Sequence, residues 1–296
     1  MASNPAFNRI EQDARTGYAG FRDGTTPVAP QPYGGYQQTG PQAAYPQTGY
    51  GGPGQVGADQ LREMYQAPSA GPVDTDRVSM DDVIMKTLAL FALVLGLGAV
   101  GWSVAEANQQ IGFMVWMGGM IGALVVGLVI AFKKTLSVPL IVAYAALEGL
   151  FLGAVSQFFE TMWPGIVAQA VLATLATFAG MFLAYKAGLI KVTAKFRRIV
   201  TMMIFGYAIF AIVNFLFAMF TSTPFGFGGS GTLGILISLF AVGLAAVTLA
   251  LDFDAIDVAI RTGAPRKYSW LLAHGLIVTL VWLYVEMLRL LARLRE

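Results

Sequence analysis

Residues Leu249–Leu294 read LALDFDAIDVAIRTGAPRKYSWLLAHGLIVTLVWLYVEMLRLLARL. Two apolar segments flank a short polar turn, Thr262-Gly263-Ala264-Pro265-Arg266-Lys267. Each segment is long enough to cross a bilayer at about 1.5 Å per residue. Both carry acids: Asp252, Asp254 and Asp257 in the first, Glu286 in the second. His274, the only histidine in the chain, lies in the second. Ionisable groups at membrane depth cost a few kcal/mol or more, so by default they mark a functional site. The hairpin therefore reads as two membrane helices, and the rest of the chain as the scaffold that holds them.

Composition agrees. Hydrophobic residues make up 56% of the 296 and charged residues 12%, about half the share of an ordinary soluble domain. Working outward from the hairpin, apolar runs recur at 83–105, 111–132, 138–159, 164–186, 198–220, 232–258 and 268–292. The expected fold is an all-α membrane protein, a bundle of seven transmembrane helices over residues 79–296. Ser79 with Asp81 and Asp82 reads as the cap and first turn of the first helix. Pro139 and Pro164 fall near segment starts, where a missing N–H costs little. Gly118-xxx-Gly122 and Gly149-xxx-Gly153 are small-residue pairs that let helix backbones approach closely.

Residues 1–78 are different. Their core, PYGGYQQTGPQAAYPQTGYGGPGQ, is rich in Pro, Gly and Gln and poor in aliphatic residues. Such a segment cannot bury enough apolar surface to offset its ordering entropy, so a disordered tail is expected. Its spaced tyrosines suit weak contact with a protein partner. No basic stretch followed by an apolar run occurs there, so no cleavable signal peptide is expected, and the first membrane helix is expected to direct insertion.

Loop charge gives an orientation. Arg62, Arg77 and Lys86 precede or open the first segment, and Lys133 and Lys134 follow the second. Lys186, Lys191, Lys195, Arg197 and Arg198 lie between the fourth and fifth, and Arg261, Arg266 and Lys267 between the sixth and seventh. The other three loops hold no Lys or Arg. The positive-inside rule then places the N-terminus in the cytoplasm of a multi-pass protein of the cell membrane, with the C-terminus outside. Arg293 and Arg295 conflict with this pattern, and a re-entrant last segment is the alternative.

Several function classes fall away. A net charge of +2 and the lack of a basic arm give no reason to expect a nucleic-acid partner. The absence of cysteine excludes disulfides, thiolate metal sites and cysteine nucleophiles. Of the serines, only Ser156 offers itself beside His274 for hydrolysis, without a supporting motif. There is no His-Glu-x-x-His zinc pattern and no P-loop. The chain reads as a non-enzyme without a cofactor, its partners being the bilayer and an ion.

Five residues are candidates for handling that ion. Glu148 sits about 15 Å into the third segment, where an acid is expected to face the bundle interior. Asp254, Asp257 and Arg261 share one helix side, most simply as an ion-paired end, whereas Asp252 points elsewhere. Asp252 and His274 lie at similar depth, so they could meet; the alternative is a histidine bonded to a backbone carbonyl. Glu286 is spaced to pair with Arg289 on its own helix.

The order of these features resembles the Bax-inhibitor family (transmembrane Bax inhibitor motif proteins), in a bacterial branch. The likeness rests on Asp252-Phe-Asp254-Ala-Ile256, on Leu283-Tyr284-Val285-Glu286 and on the third-segment run Glu148-Gly149-Leu-Phe-Leu-Gly153. It covers about 83–296 and leaves out the tail. Glu286 stands where the family has Asp, Ala154 where it usually has Pro, and the second segment has no arginine. The resemblance implies seven helices with the last at the centre. It also implies a pH-sensitive calcium leak governed by an acid pair between the last two helices, which Asp252 and Glu286 would supply. Glu148, His274 and Asp254 join them as candidates for the ion pathway and pH sensing. Two classes stay open: a cation leak, with calcium as permeant ion, and a regulatory protein that binds a partner such as a membrane protease.

Overall fold

The computed structural model describes residues 76–133, 135–221, 223 and 225–296. The expected tail lies outside the described residues up to position 75. Its last three residues are anchored rather than loose. Val78 N–H donates to the Ala264 carbonyl at 2.8 Å, and Arg266 N–H donates to the Asp76 carbonyl at 2.7 Å. This short antiparallel bridge pairs Arg77 with Pro265.

Seven helices follow: α1 Met80–Ala107, α2 Gln109–Phe132, α3 Val138–Met162, α4 Ile166–Lys186, α5 Ala194–Thr221, α6 Thr232–Arg261 and α7 Ser269–Arg295. All are long and apolar enough to cross a membrane. They match the seven expected segments in number and order. The chief differences are at the ends: α5 starts at Ala194 and α6 runs on to Arg261. Polar residues continue both helices because ion pairs hold those turns, as described below. Ser79 caps α1 as expected, accepting the Asp82 N–H at 3.2 Å. Below, the near end is the one where residue 76 enters and the α2–α3, α4–α5 and α6–α7 connections lie. The far end carries the remaining loops and the C-terminus.

The last helix is the most enclosed. About two thirds of the most apolar window of α7 is buried, against 11% for α5 and 17% for α1, α2 and α4. It packs on α1, α3, α4 and α6. At 27 residues it spans about 40 Å, a full crossing rather than a re-entrant hairpin. Two apolar clusters meet along it. One gathers Val83, Leu90, Ile141, Leu272 and Ile277, and the other Val155, Ile166, Leu249, Leu283 and Leu288. The outer faces of α2 and α5 carry exposed Phe113, Leu124, Phe205, Ile212 and Phe220, as expected for lipid contact.

α1 and α3 touch through backbone. A Cβ added at Gly153 would stand 1.9 Å from the Gly98 carbonyl oxygen, so only glycine allows this crossing. The expected pair on α2 needs correction. Gly118 faces open space, and the contact is made by its neighbour Gly119, where a Cβ would meet Phe151 at 3.0 Å, together with Gly122 against Leu147. One residue is 100° of helix rotation, enough to turn Gly118 to the outside.

Candidate functional site

Polar residues decorate α7 along its whole length, and each neighbouring helix answers one of them. At the near end Asp82 of α1 accepts from the Arg266 guanidinium at 2.8 Å and lies 3.9 Å from Lys86. The Lys86 ammonium in turn donates to the Ser269 hydroxyl. α1 is thereby tied to the start of α7.

Two to three turns further along, the buried acids appear. Glu148 of α3, only 6% exposed, has the Tyr144 hydroxyl as its polar neighbour, and its Oε2 has no hydrogen-bond partner. The Tyr144 ring meets the His274 ring edge-on, with centroids 4.5 Å apart. On another side of α7, Asp252 of α6 lies beside Thr279. A Cβ at Gly275 would be 4.0 Å from its Oδ1, while its Oδ2 is buried without a partner. Glu148 lies one helical turn beyond the Tyr144–His274 contact and Asp252 between Gly275 and Thr279, so the two acids stand at almost the same level of α7. A buried carboxyl oxygen without a partner forgoes about 1–3 kcal/mol, so two at one level call for an explanation.

Of the two readings left open for His274, the Asp252–His274 contact does not form, since His274 turns to α3 and Asp252 to the gap left by Gly275. Nor do Asp252 and Glu286 pair. Thr279 and Glu286 are seven residues apart on α7, which puts the two acids about 10 Å apart along the axis. Glu286 has its own partners instead. Its Oε1 accepts from Tyr207 of α5 at 2.6 Å, from Trp282 at 3.3 Å and from Arg289 at 3.4 Å. The i,i+3 pair with Arg289 is as the spacing suggested. Ser156 bonds the Tyr284 hydroxyl at 2.7 Å, so it forms no couple with His274.

Asp254 and Asp257 are ion-paired, but not with Arg261. Asp254 meets Arg197 of α5 at 2.5 Å. Asp257 accepts from the Tyr185 hydroxyl at 2.9 Å and lies 4.0 Å from Lys186, both on α4. Neighbouring helices present these partners directly, while Arg261 points outward, exposed. α5, the least enclosed helix, is held to the bundle by two polar links, Arg197–Asp254 and Tyr207–Glu286.

At the far end Arg293 is 5% exposed. Its guanidinium donates to the Gly234 carbonyl at 2.6 Å, the Ser238 hydroxyl at 2.5 Å and the Phe225 carbonyl at 3.1 Å. Arg295 donates to the carbonyls of Trp163 and Pro164. Neither arginine is a loose loop charge.

Sequence reasoning named the acids but not Tyr144, Tyr207 or Thr279, and took Arg293 for a charge near the chain end rather than a buried donor. A tyrosine deep in an apolar helix was a usable signal, because its hydroxyl needs a partner when buried. Among the described residues no group of three or more His, Asp or Glu side chains could hold a metal ion.

Comparison with curated proteins gives no match. The family model described as Bax inhibitor 1 like matches residues 4–296. That match includes the N-terminal segment, which the resemblance read from the helices alone had left out. With seven apolar helices, the last of them most enclosed, and acids on the last two, the chain belongs to the Bax inhibitor 1 like family.

Proposed function

We propose that the protein is a pH-sensitive cation leak, with calcium the permeant ion, in the cell membrane with its N-terminus in the cytoplasm. The observation that carries this reading is the pair of buried carboxyl oxygens without partners, Glu148 Oε2 and Asp252 Oδ2, on two sides of α7 at one level. An acid kept only for structure would have both oxygens bonded, as buried polar groups almost always are. These two keep a free acceptor that takes a proton or a hard cation. Protonated, they are neutral and the interior stays closed. Deprotonated, they attract a cation and favour separation of the helices around α7. Flux therefore rises with pH.

Within this reading the five candidates separate. Glu148 and Asp252 titrate. His274, edge-on to Tyr144, modulates Glu148 through that ring. Asp254 is neutralised by Arg197, and Glu286 anchors α5 through Tyr207.

The test is calcium flux into liposomes holding purified protein, across about pH 5 to 8, a window that spans these titrations. Asp252→Asn and Glu148→Gln are expected to flatten the pH dependence while the fold survives. Glu286→Gln is expected to lower thermal stability by about 1–3 kcal/mol, because Arg289 loses its charged partner, and to keep the profile shape. His274→Ala is expected to shift the profile without abolishing it. Absence of flux at every pH, or an unchanged profile in both acid variants, refutes the leak and leaves the partner-binding class.

A further inference from the structure

At the near end, where the α2–α3 loop faces the α6–α7 turn, the surface opens into a cavity of about 200 Å³. Lys133, Thr135 and Ser137 line it from the loop, and Lys267 from the turn. No carboxylate lines it. Among the described residues neither lysine is ion-paired, although acids are available to other cations nearby: Asp82 serves Arg266 and Lys86. Lys267 lies 5.3 Å from the Tyr268 ring centroid, an aromatic face that supports its ammonium without neutralising it. Ser137 stands at the N-cap of α3, yet its hydroxyl makes no capping bond. Below these groups the wall turns aliphatic, with Ile130 and Leu140 continuing down the helices.

Two uncompensated ammonium groups and two hydroxyls around one cavity complement an anion with several acceptor oxygens. Basic pockets between membrane helices at the cytoplasmic side match lipid phosphates in the same way. We propose that this cavity binds a phosphate group, as the headgroup of an anionic phospholipid or as free phosphate. The aliphatic wall gives an acyl chain a path out of the cavity along α2 and α3. The site is separate from the buried acids, about 15 Å nearer the end of the bundle than Glu148, and does not depend on whether they conduct.

The experiment titrates full-length protein in neutral detergent with phosphatidylglycerol, phosphatidylcholine and inorganic phosphate, and reads binding by native mass spectrometry. Wild type is expected to bind phosphatidylglycerol at least tenfold more tightly than phosphatidylcholine. Lys133→Gln/Lys267→Gln is expected to weaken phosphatidylglycerol binding about thirtyfold, the effect of two near-surface lysines. Lys191→Gln/Lys195→Gln removes the same charge from the α4–α5 connection and is expected to change it less than threefold. Both pairs are exposed, so the unliganded thermal midpoint should stay put and certify the fold. If millimolar inorganic phosphate displaces the lipid with the same lysine dependence, the source is the small anion; if it does not, the source is the lipid. Equal weakening by the two double variants, weakening by neither, or no preference of wild type for either phosphate anion overturns the proposal.

Discussion

Gly153→Ala attacks the tightest helix crossing among the described residues. The new Cβ would sit 1.9 Å from the Gly98 oxygen, 2.7 Å from the Trp102 nitrogen and 2.8 Å from the Gly98 carbonyl carbon. All three are backbone atoms, so no side-chain rotation relieves the clash. Ordinary contact begins near 3.4 Å, and α1 must retreat by about 1.5 Å to restore it. That retreat also opens the neighbouring approaches of Gly149 to the Val94 oxygen and of Gly101 to the Leu150 oxygen. Overpacking usually costs about 1–3 kcal/mol, and a rigid contact on both sides belongs at the upper end. A loss of about 3 kcal/mol corresponds to a fall of about 6–12 °C in Tm for a domain of this size. The assay is thermal unfolding in detergent micelles, with Gly118→Ala as the reference, since that position meets nothing within 4 Å. Gly118→Ala is expected to stay within about 0.5 kcal/mol of wild type. If Gly153→Ala unfolds together with Gly118→Ala, then α1 and α3 do not approach this closely and the account of the crossing is wrong.

Other outcomes follow from the far end. Arg293→Ala takes the guanidinium donor from the buried Gly234 carbonyl, the buried Ser238 hydroxyl and the half-buried Phe225 carbonyl, which keeps Asn214, and is expected to cost about 1–3 kcal/mol, visible as a lower Tm and a lower yield of folded protein; a neutral result would mean those acceptors find other donors. Reporter domains fused before Asp76 and after Glu296 are expected to lie on opposite sides of the membrane, as seven crossings require; the same side for both would remove one crossing.

The seven spans were legible because an apolar run of about 20 residues has few other uses. Rotation about each helix axis was not. Gly118 and Gly119 are neighbours in sequence, one facing outward and one facing α3, and lipid is as apolar as a helix interface. No amphipathic stripe can separate the two. The same limit hid the acid partners. Asp252, Asp254 and Asp257 turn in different directions, and only the packing of α4, α5 and α7 fixes who answers each. Glu286 beside Arg289 was readable, because both lie on one helix at a fixed spacing. Arg293 was not, since its burial depends on the 225–231 loop folding over the far end of α6.

The most enclosed helix is also the last to be made. While α1 to α6 enter the bilayer, the place that α7 will fill has no occupant from this chain. Tyr207, Ser156 and Tyr144 must wait in the membrane without the residues they finally face. Arg293, near the far end of α7, reaches the Gly234 carbonyl only once α7 is in place. Arrival of α7 is therefore the decisive step in assembling this bundle, because polar groups on α3 and α5 stay unmet until it packs. Loss of the final turn of α7 is expected to leave the Ser238 hydroxyl without the Arg293 guanidinium and to lower the yield of folded protein.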